Sequence, residues 1–124
     1  MPKHPLGFEI HNFRIRGQLT FKELASRVCC SAPYLWKIEN GDQAPTAQEF
    51  LDRLAGALAL STRERERLVQ ASIESQRTFK LEGVLSVEAY RVAYRFSRCL
   101  AKLNGDDLEK IGEILSKTWL EESI

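Results

Sequence analysis

The chain is poor in the residues that build metal and catalytic centres. It holds three cysteines and two histidines among 124 residues. Cys29 and Cys30 are adjacent and Cys99 stands alone, so they form neither a disulfide framework nor a tetrahedral zinc set. His4 and His11 share no ligand spacing with them. The simplest reading is three reduced, mostly buried thiols in a cytoplasmic protein. No apolar run approaches the ~20 residues that a spanning helix requires, so no membrane segment is expected. Met1-Pro2-Lys3-His4-Pro5 has no apolar stretch behind its single lysine and does not read as a secretory signal. There is no glycine-rich phosphate loop, no nucleophile–base set and no cluster of carboxylates on one face. An enzyme, a metal site and a bound cofactor are therefore not expected.

Excess charge of one sign is also missing. There are 18 Lys and Arg against 17 Asp and Glu, a net of +1. A chain that coats nucleic acid without selectivity is far more basic. The balance shifts along the sequence, with residues 1–80 mildly basic and residues 81–124 mildly acidic. The composition is 44% hydrophobic and 28% charged, ordinary for a folded domain. A chain of this size buries roughly 65% of its unfolded surface, enough for a core without staples.

No segment sustains two-residue alternation, and the apolar pattern is helical throughout. The reading is all-α: a five-helix unit over 8–80, then a two-helix extension over 84–124. A first helix runs from Phe8 to Arg16 and stops at Gly17. Thr20 with Glu23 is a capping box that opens a short helix, Phe21 to Val28. Ser31 caps a third helix, with Pro33 in its first turn and Asn40-Gly41 as its stop. Thr46 with Glu49 reads as a further capping box, followed by a stripe of Ala47, Phe50, Leu51, Leu54 and Leu58. Ser61 with Glu64 opens a fifth helix to about Lys80, whose alternating charges read as a solvated face. A sixth helix spans about Val87 to Leu103. Asp106 with Glu109 opens a seventh, to about Glu121.

The two short helices capped by Thr20 and Ser31, joined by a tight turn at Cys29-Cys30, have the spacing of a helix-turn-helix. In that arrangement the first helix braces against the phosphate backbone and the second enters the major groove by its N-terminal end. The run Leu19-Thr20-Phe21-Lys22-Glu23-Leu24-Ala25, then Cys30 to Gly41 with Ile38-Glu39-Asn40-Gly41, then Pro45-Thr46, resembles the Cro/C1-type repressors, also called the xenobiotic-response-element family. The resemblance covers about residues 8–70.

The resemblance implies a five-helix repressor-like fold that binds double-stranded DNA. It places Leu19, Leu24, Ala25, Leu35 and Ile38 in the core. It puts Arg14 and Glu39 where the family carries a first-helix arginine and a glutamate ending the recognition helix. This implies a partly buried ion pair that positions the third helix, rather than phosphate binding by Arg14. Ser31, Ala32, Pro33 and Lys37 fall where the family faces DNA. Thr20, Phe21 and Asn40 fall where phosphate is contacted. Ala32 and Pro33 stand where Gln or Arg is common and offer no hydrogen bonds to base edges, but can pack on thymine methyls. Lys37 can donate to guanine O6 and N7 or to a phosphate. Trp36 stands where a small polar residue is common. It reads as core, as a cover on the DNA backbone, or as a contact to another partner.

The last two helices have a pattern of their own. At about 100° per residue, Arg91, Arg95, Arg98 and Lys102 form one stripe, with Tyr90 and Tyr94 beside it and Ala89, Ala93, Phe96, Leu100 and Leu103 opposite. That stripe reads as a solvated face, neutralised by acids of the seventh helix or of a partner, or as a surface for nucleic acid, RNA included. Leu108, Ile111, Leu115 and Trp119 line one side of the seventh helix. Phe96, Leu100, Leu103, Ile111, Leu115 and Trp119 are expected as core or dimer-interface residues of this extension. The expected function is sequence-specific transcriptional regulation as a cytoplasmic, homodimeric repressor on a two-fold operator. The alternative is an antitoxin- or adaptor-type protein-interaction module with DNA binding secondary or lost.

Overall fold

A computed structural model describes residues 3–122, with side chains described to Trp119. Met1 and Pro2, the start of the stretch read against a secretory signal, and residues 123–124, the end of the extension read over 84–124, lie outside the described residues. There are seven α-helices and no strand among the described residues: α1 (Pro5–Arg16), α2 (Phe21–Val28), α3 (Ala32–Glu39), α4 (Gln48–Ala57), α5 (Thr62–Glu74), α6 (Val87–Cys99) and α7 (Gly105–Glu122). The chain divides into two units between Phe79 and Lys80.

The first unit is built around α1. Leu6, Ile10 and Phe13 recur at helical spacing and are buried with Leu24, Leu35, Leu54 and Leu68 from the four following helices. All five apolar positions implied by the family resemblance, Leu19, Leu24, Ala25, Leu35 and Ile38, are in this core. α1 packs on α5 and α3, and α2 packs on α3 and α4. Tyr34 meets Phe50 edge to face, with ring centroids 5.7 Å apart.

α1 begins three residues before the expected Phe8. Pro5 takes the first helical position, where its missing N–H costs nothing, and His4 Nδ1 accepts from the Gly7 N–H at 2.9 Å. Because that nitrogen accepts, the proton sits on Nε2, which donates to the Gln43 carbonyl at 2.9 Å. Gly17 caps the other end, but the left-handed residue is Gln18, with φ 55°.

Gly7 marks a close approach of α1 to the end of α3. A Cβ there would lie 2.7 Å from the Glu39 carbonyl oxygen and 2.9 Å from that of Ile38. Both are backbone atoms, so relief requires one helix to move. Gly7→Ala is expected to destabilise the unit by about 1–3 kcal/mol. A melting temperature equal to wild type would contradict the contact.

Both capping boxes at Thr20–Glu23 and Ser61–Glu64 are formed. The one expected at Thr46–Glu49 is not. α4 starts one residue later, with Ala47 at the N-cap and no side-chain cap, and Glu49 pairs instead with Arg53 one turn on. Ala47 is accordingly exposed, while the rest of its stripe is buried. α5 stops at Glu74 rather than near Lys80. Buried Ser75 turns the chain: its Oγ accepts from the Leu6 N–H at 2.8 Å and donates to the Ala71 carbonyl at 2.7 Å. The charged face of α5 is not simply solvated. Glu64 pairs with Arg16, Arg65 with Asp52, and Arg67 with Glu9 across helices. The Arg16 guanidinium, with the Ser61 N–H, holds the Glu64 carboxyl down to about 2.

In the second unit, Ser86 Oγ caps α6 by accepting from the Ala89 N–H. α6 ends at Cys99 and tightens into a short 3₁₀ turn over Leu100–Lys102, earlier than the expected Leu103. α7 begins at Gly105. Its cap is Asn104, whose Oδ1 accepts from the Asp107 N–H at 2.8 Å, not the expected Asp106–Glu109 box. No described side chain of this unit is fully buried. Leu103 and Ile111 are half-buried, and Phe96, Leu100, Leu115 and Trp119 are exposed, so these six form no core within the unit.

Candidate nucleic-acid interface

The site begins with two local signals. Thr20 Oγ1 accepts from the Glu23 N–H at 3.1 Å, and the Glu23 carboxylate accepts from the Thr20 N–H at 3.2 Å. The Thr20 backbone N–H, and after it the Thr20 side chain, hold the Glu23 carboxyl below its usual range. α2 then ends on Cys29 in a left-handed conformation, φ 65° and ψ 47°, a place where glycine is usual. Its reversal lets Ser31 restart the chain as α3 two residues later, Ser31 Oγ accepting from the Tyr34 N–H at 3.2 Å. From α4, Arg53 Nε donates to the Val28 carbonyl at 3.0 Å, bracing the same turn.

Cys29 and Cys99 are exposed and Cys30 is half-buried, against the expectation of mostly buried thiols. Cys29 occupies the surface-facing cap of a turn, and Cys99 lies in a unit without a core. Burial pushes the Cys30 thiol up from its ordinary value.

α3 has two faces. Leu35 and Ile38 point into the core, while Ser31, Pro33, Trp36 and Lys37 are exposed. Trp36 keeps 51% of its surface, which removes the reading of it as a core residue. Ala32 is half-buried against the core, so little of it is left for a thymine methyl. Phe21 is half-buried, and the Arg14 guanidinium lies over its ring at 4.1 Å. Its ring is thus occupied from within the fold. Asn40 Nδ2 donates to the Trp36 carbonyl at 2.9 Å and finishes the helix. Thr20 is exposed at the start of α2.

The end of α3 is fixed by a buried charge cluster. Glu39 is 3% exposed and Arg14 8%. Arg14 Nε and Nη2 donate to Glu39 Oε2 and Oε1 at 2.7 and 3.2 Å, a two-pronged contact, and Nη1 donates to the Leu19 carbonyl at 2.9 Å. His11 Nδ1 donates to Glu39 Oε1 at 2.9 Å. One carboxylate therefore ties the end of α3 to two successive turns of α1, while the same guanidinium secures the segment entering α2. Lys37, by contrast, makes no ion pair among the described residues.

Sequence reasoning did not find His11, His4, Ser75 or Arg53 as positioning groups. Their partners lie 28, 39, 69 and 25 residues away, and no local pattern signals such pairs. No group of His, Cys, Asp and Glu among the described residues is arranged to hold a metal ion. No described helix is long and apolar enough to cross a membrane.

A family model for the helix-turn-helix domain matches residues 5–68, just over half of the chain. No curated protein and no solved structure matches it.

Proposed function

The chain belongs to the helix-turn-helix domain family, and from that we propose that it is a sequence-specific DNA-binding transcriptional regulator of the Cro/C1 type, acting in the cytoplasm as a homodimeric repressor on a two-fold operator. The observation that carries this reading is the exposed face of α3, where Ser31, Pro33, Trp36 and Lys37 stand opposite buried Leu35 and Ile38. Such a helix offers its first turns to the major groove while its back is anchored.

The roles follow from the chemistry of each group. Lys37 is the charged donor on that face and reaches guanine O6 and N7. The Trp36 indole covers sugar and phosphate beside it. Pro33 packs on a thymine methyl. Thr20 and Ser31 use their hydroxyl oxygens to cap, which leaves each O–H to donate to a phosphate oxygen. Asn40 adds an amide N–H at the end of α3. Phe21 acts indirectly, by seating Arg14.

Two recognition helices must lie about one DNA turn apart, ~34–36 Å, for both half-sites to be read. The second unit supplies the dimer contact in this reading, through Phe96, Leu100, Leu103, Ile111, Leu115 and Trp119. Leucines and phenylalanine left exposed on a unit without a core favour an isologous contact there.

Lys37→Ala tests the assignment. Specific binding is expected to weaken by about 1–3 kcal/mol, with relaxed preference at one operator position per half-site. An equal loss on operator and random duplex would make Lys37 a phosphate contact only. No loss on either would favour the second reading, a protein-interaction module. The exposed Trp36 indole supports that reading, because exposed tryptophans are common anchors between proteins.

A further inference from the structure

We propose that α6 carries a second nucleic-acid surface, distinct from α3, that binds a single-stranded polynucleotide. Arg91, Arg95, Arg98 and Lys102 share one side of α6 and its 3₁₀ extension, over a rise of ~17 Å. All four are exposed, and none forms an ion pair among the described residues. Arg95 Nε instead lies along the helix, donating to the Arg91 carbonyl at 3.4 Å. The same helix has a single acid, Glu88. Asp106, Glu109 and Glu113 of α7 are close in sequence, yet leave these cations unpaired. A row of uncompensated cations is complementary to a polyanion.

The tyrosines decide which polyanion. Tyr90 and Tyr94 stand one turn apart on the flank of the cationic stripe, 57% and 66% exposed. Neither ring has an aromatic or cation partner among the described residues. With Val87, Arg91, Arg95 and the one acid of the helix, Glu88, they line an open groove of about 920 Å³, where two guanidiniums outnumber the carboxylate. In a duplex the base faces are hidden in the stack and a phenol ring finds nothing to lie on. Unpaired bases present those faces, and cations beside aromatic platforms are how proteins hold single strands. A lipid surface would instead engage the opposite side of α6, where Ala93, Phe96 and Leu100 lie. Because the stripe and the apolar side are opposed, covering the apolar side leaves the stripe and its tyrosines open.

The test is a titration of the full chain into short fluorescent oligo(dT) and oligo(U), read by anisotropy at several salt concentrations. Binding should fall with salt at a slope of about −2 to −3 for three or four neutralised phosphates, at ~−0.7 each. Tyr94→Ala should weaken it about tenfold, and Tyr94→Phe should retain it, because the ring and not the hydroxyl stacks. Arg91→Gln with Arg95→Gln should flatten the slope by about 1.4. Lys37→Ala should leave single-strand binding unchanged, which separates this surface from α3 and its failure from that of the operator reading. Tighter binding of oligo(U) would assign the site to RNA, and of oligo(dT) to displaced DNA. The proposal is overturned if Tyr94→Ala binds as wild type, if Lys37→Ala abolishes binding, or if anionic vesicles or duplex alone are retained by the α6 surface.

Discussion

Glu39→Ala should destabilise the N-terminal unit by about 3–5 kcal/mol, because it strands a buried guanidinium. Glu39 accepts two bonds from Arg14 and one from His11 at the junction of α1 and α3. Without it, Arg14 keeps the Leu19 carbonyl and the Phe21 face but loses its counter-charge. At roughly 4–8 °C per kcal/mol for a domain of this size, the unit should melt at least ~12 °C lower. Arg14→Met should be costly for the converse reason, leaving a buried carboxylate with only the half-exposed His11 as donor. The double variant Arg14→Met with Glu39→Ala should recover much of the loss, since replacing both partners removes the stranded charge. Thermal melts of the two single variants and the double variant decide the matter. Additive effects around that cycle would show that the pair is not coupled.

Leu35→Ala should cost about 2–5 kcal/mol through the cavity it leaves. Leu35 has no exposed surface and lies on the side of α3 opposite Trp36 and Lys37. It makes no contact available to DNA, so its effect on binding should follow the folded fraction alone. Urea unfolding should show a lower midpoint with an unchanged slope. Full affinity should return at temperatures where the variant is folded. A loss under about 1 kcal/mol would mean that the back of α3 is more loosely packed than its complete burial implies.

What was readable from sequence follows the range of the forces involved. The caps of α2, α3 and α5 were legible because the donor, the acceptor and the chain between them lie within three residues. The start of α1 was missed because histidine is an uncommon cap, although Pro5 marked the first turn. The end of α5 carries no glycine or proline. Ser75 ends it by bonding to an N–H 69 residues earlier, which no window along the chain can see. Arg14 and Glu39 were named together only through the Cro/C1 resemblance, and His11, which shares the same carboxylate, had no such pointer. On the candidate interface, the Cro/C1 resemblance pointed to the positions on α2 and α3, but exposure sorted them. Trp36 and Lys37 are open, Ala32 and Phe21 are partly covered, and Asn40 is engaged with the Trp36 carbonyl.

Reading of duplex sequence is the role proposed for α3. It is tested most directly by a mobility-shift competition at two salt concentrations, between the duplex upstream of the protein's own coding region and random duplex of equal length. The upstream duplex should outcompete random DNA by at least about 10³-fold, the lower end for specific regulators, and hold that advantage at the higher salt. Equal affinity for the two duplexes, lost together as salt rises, would contradict it.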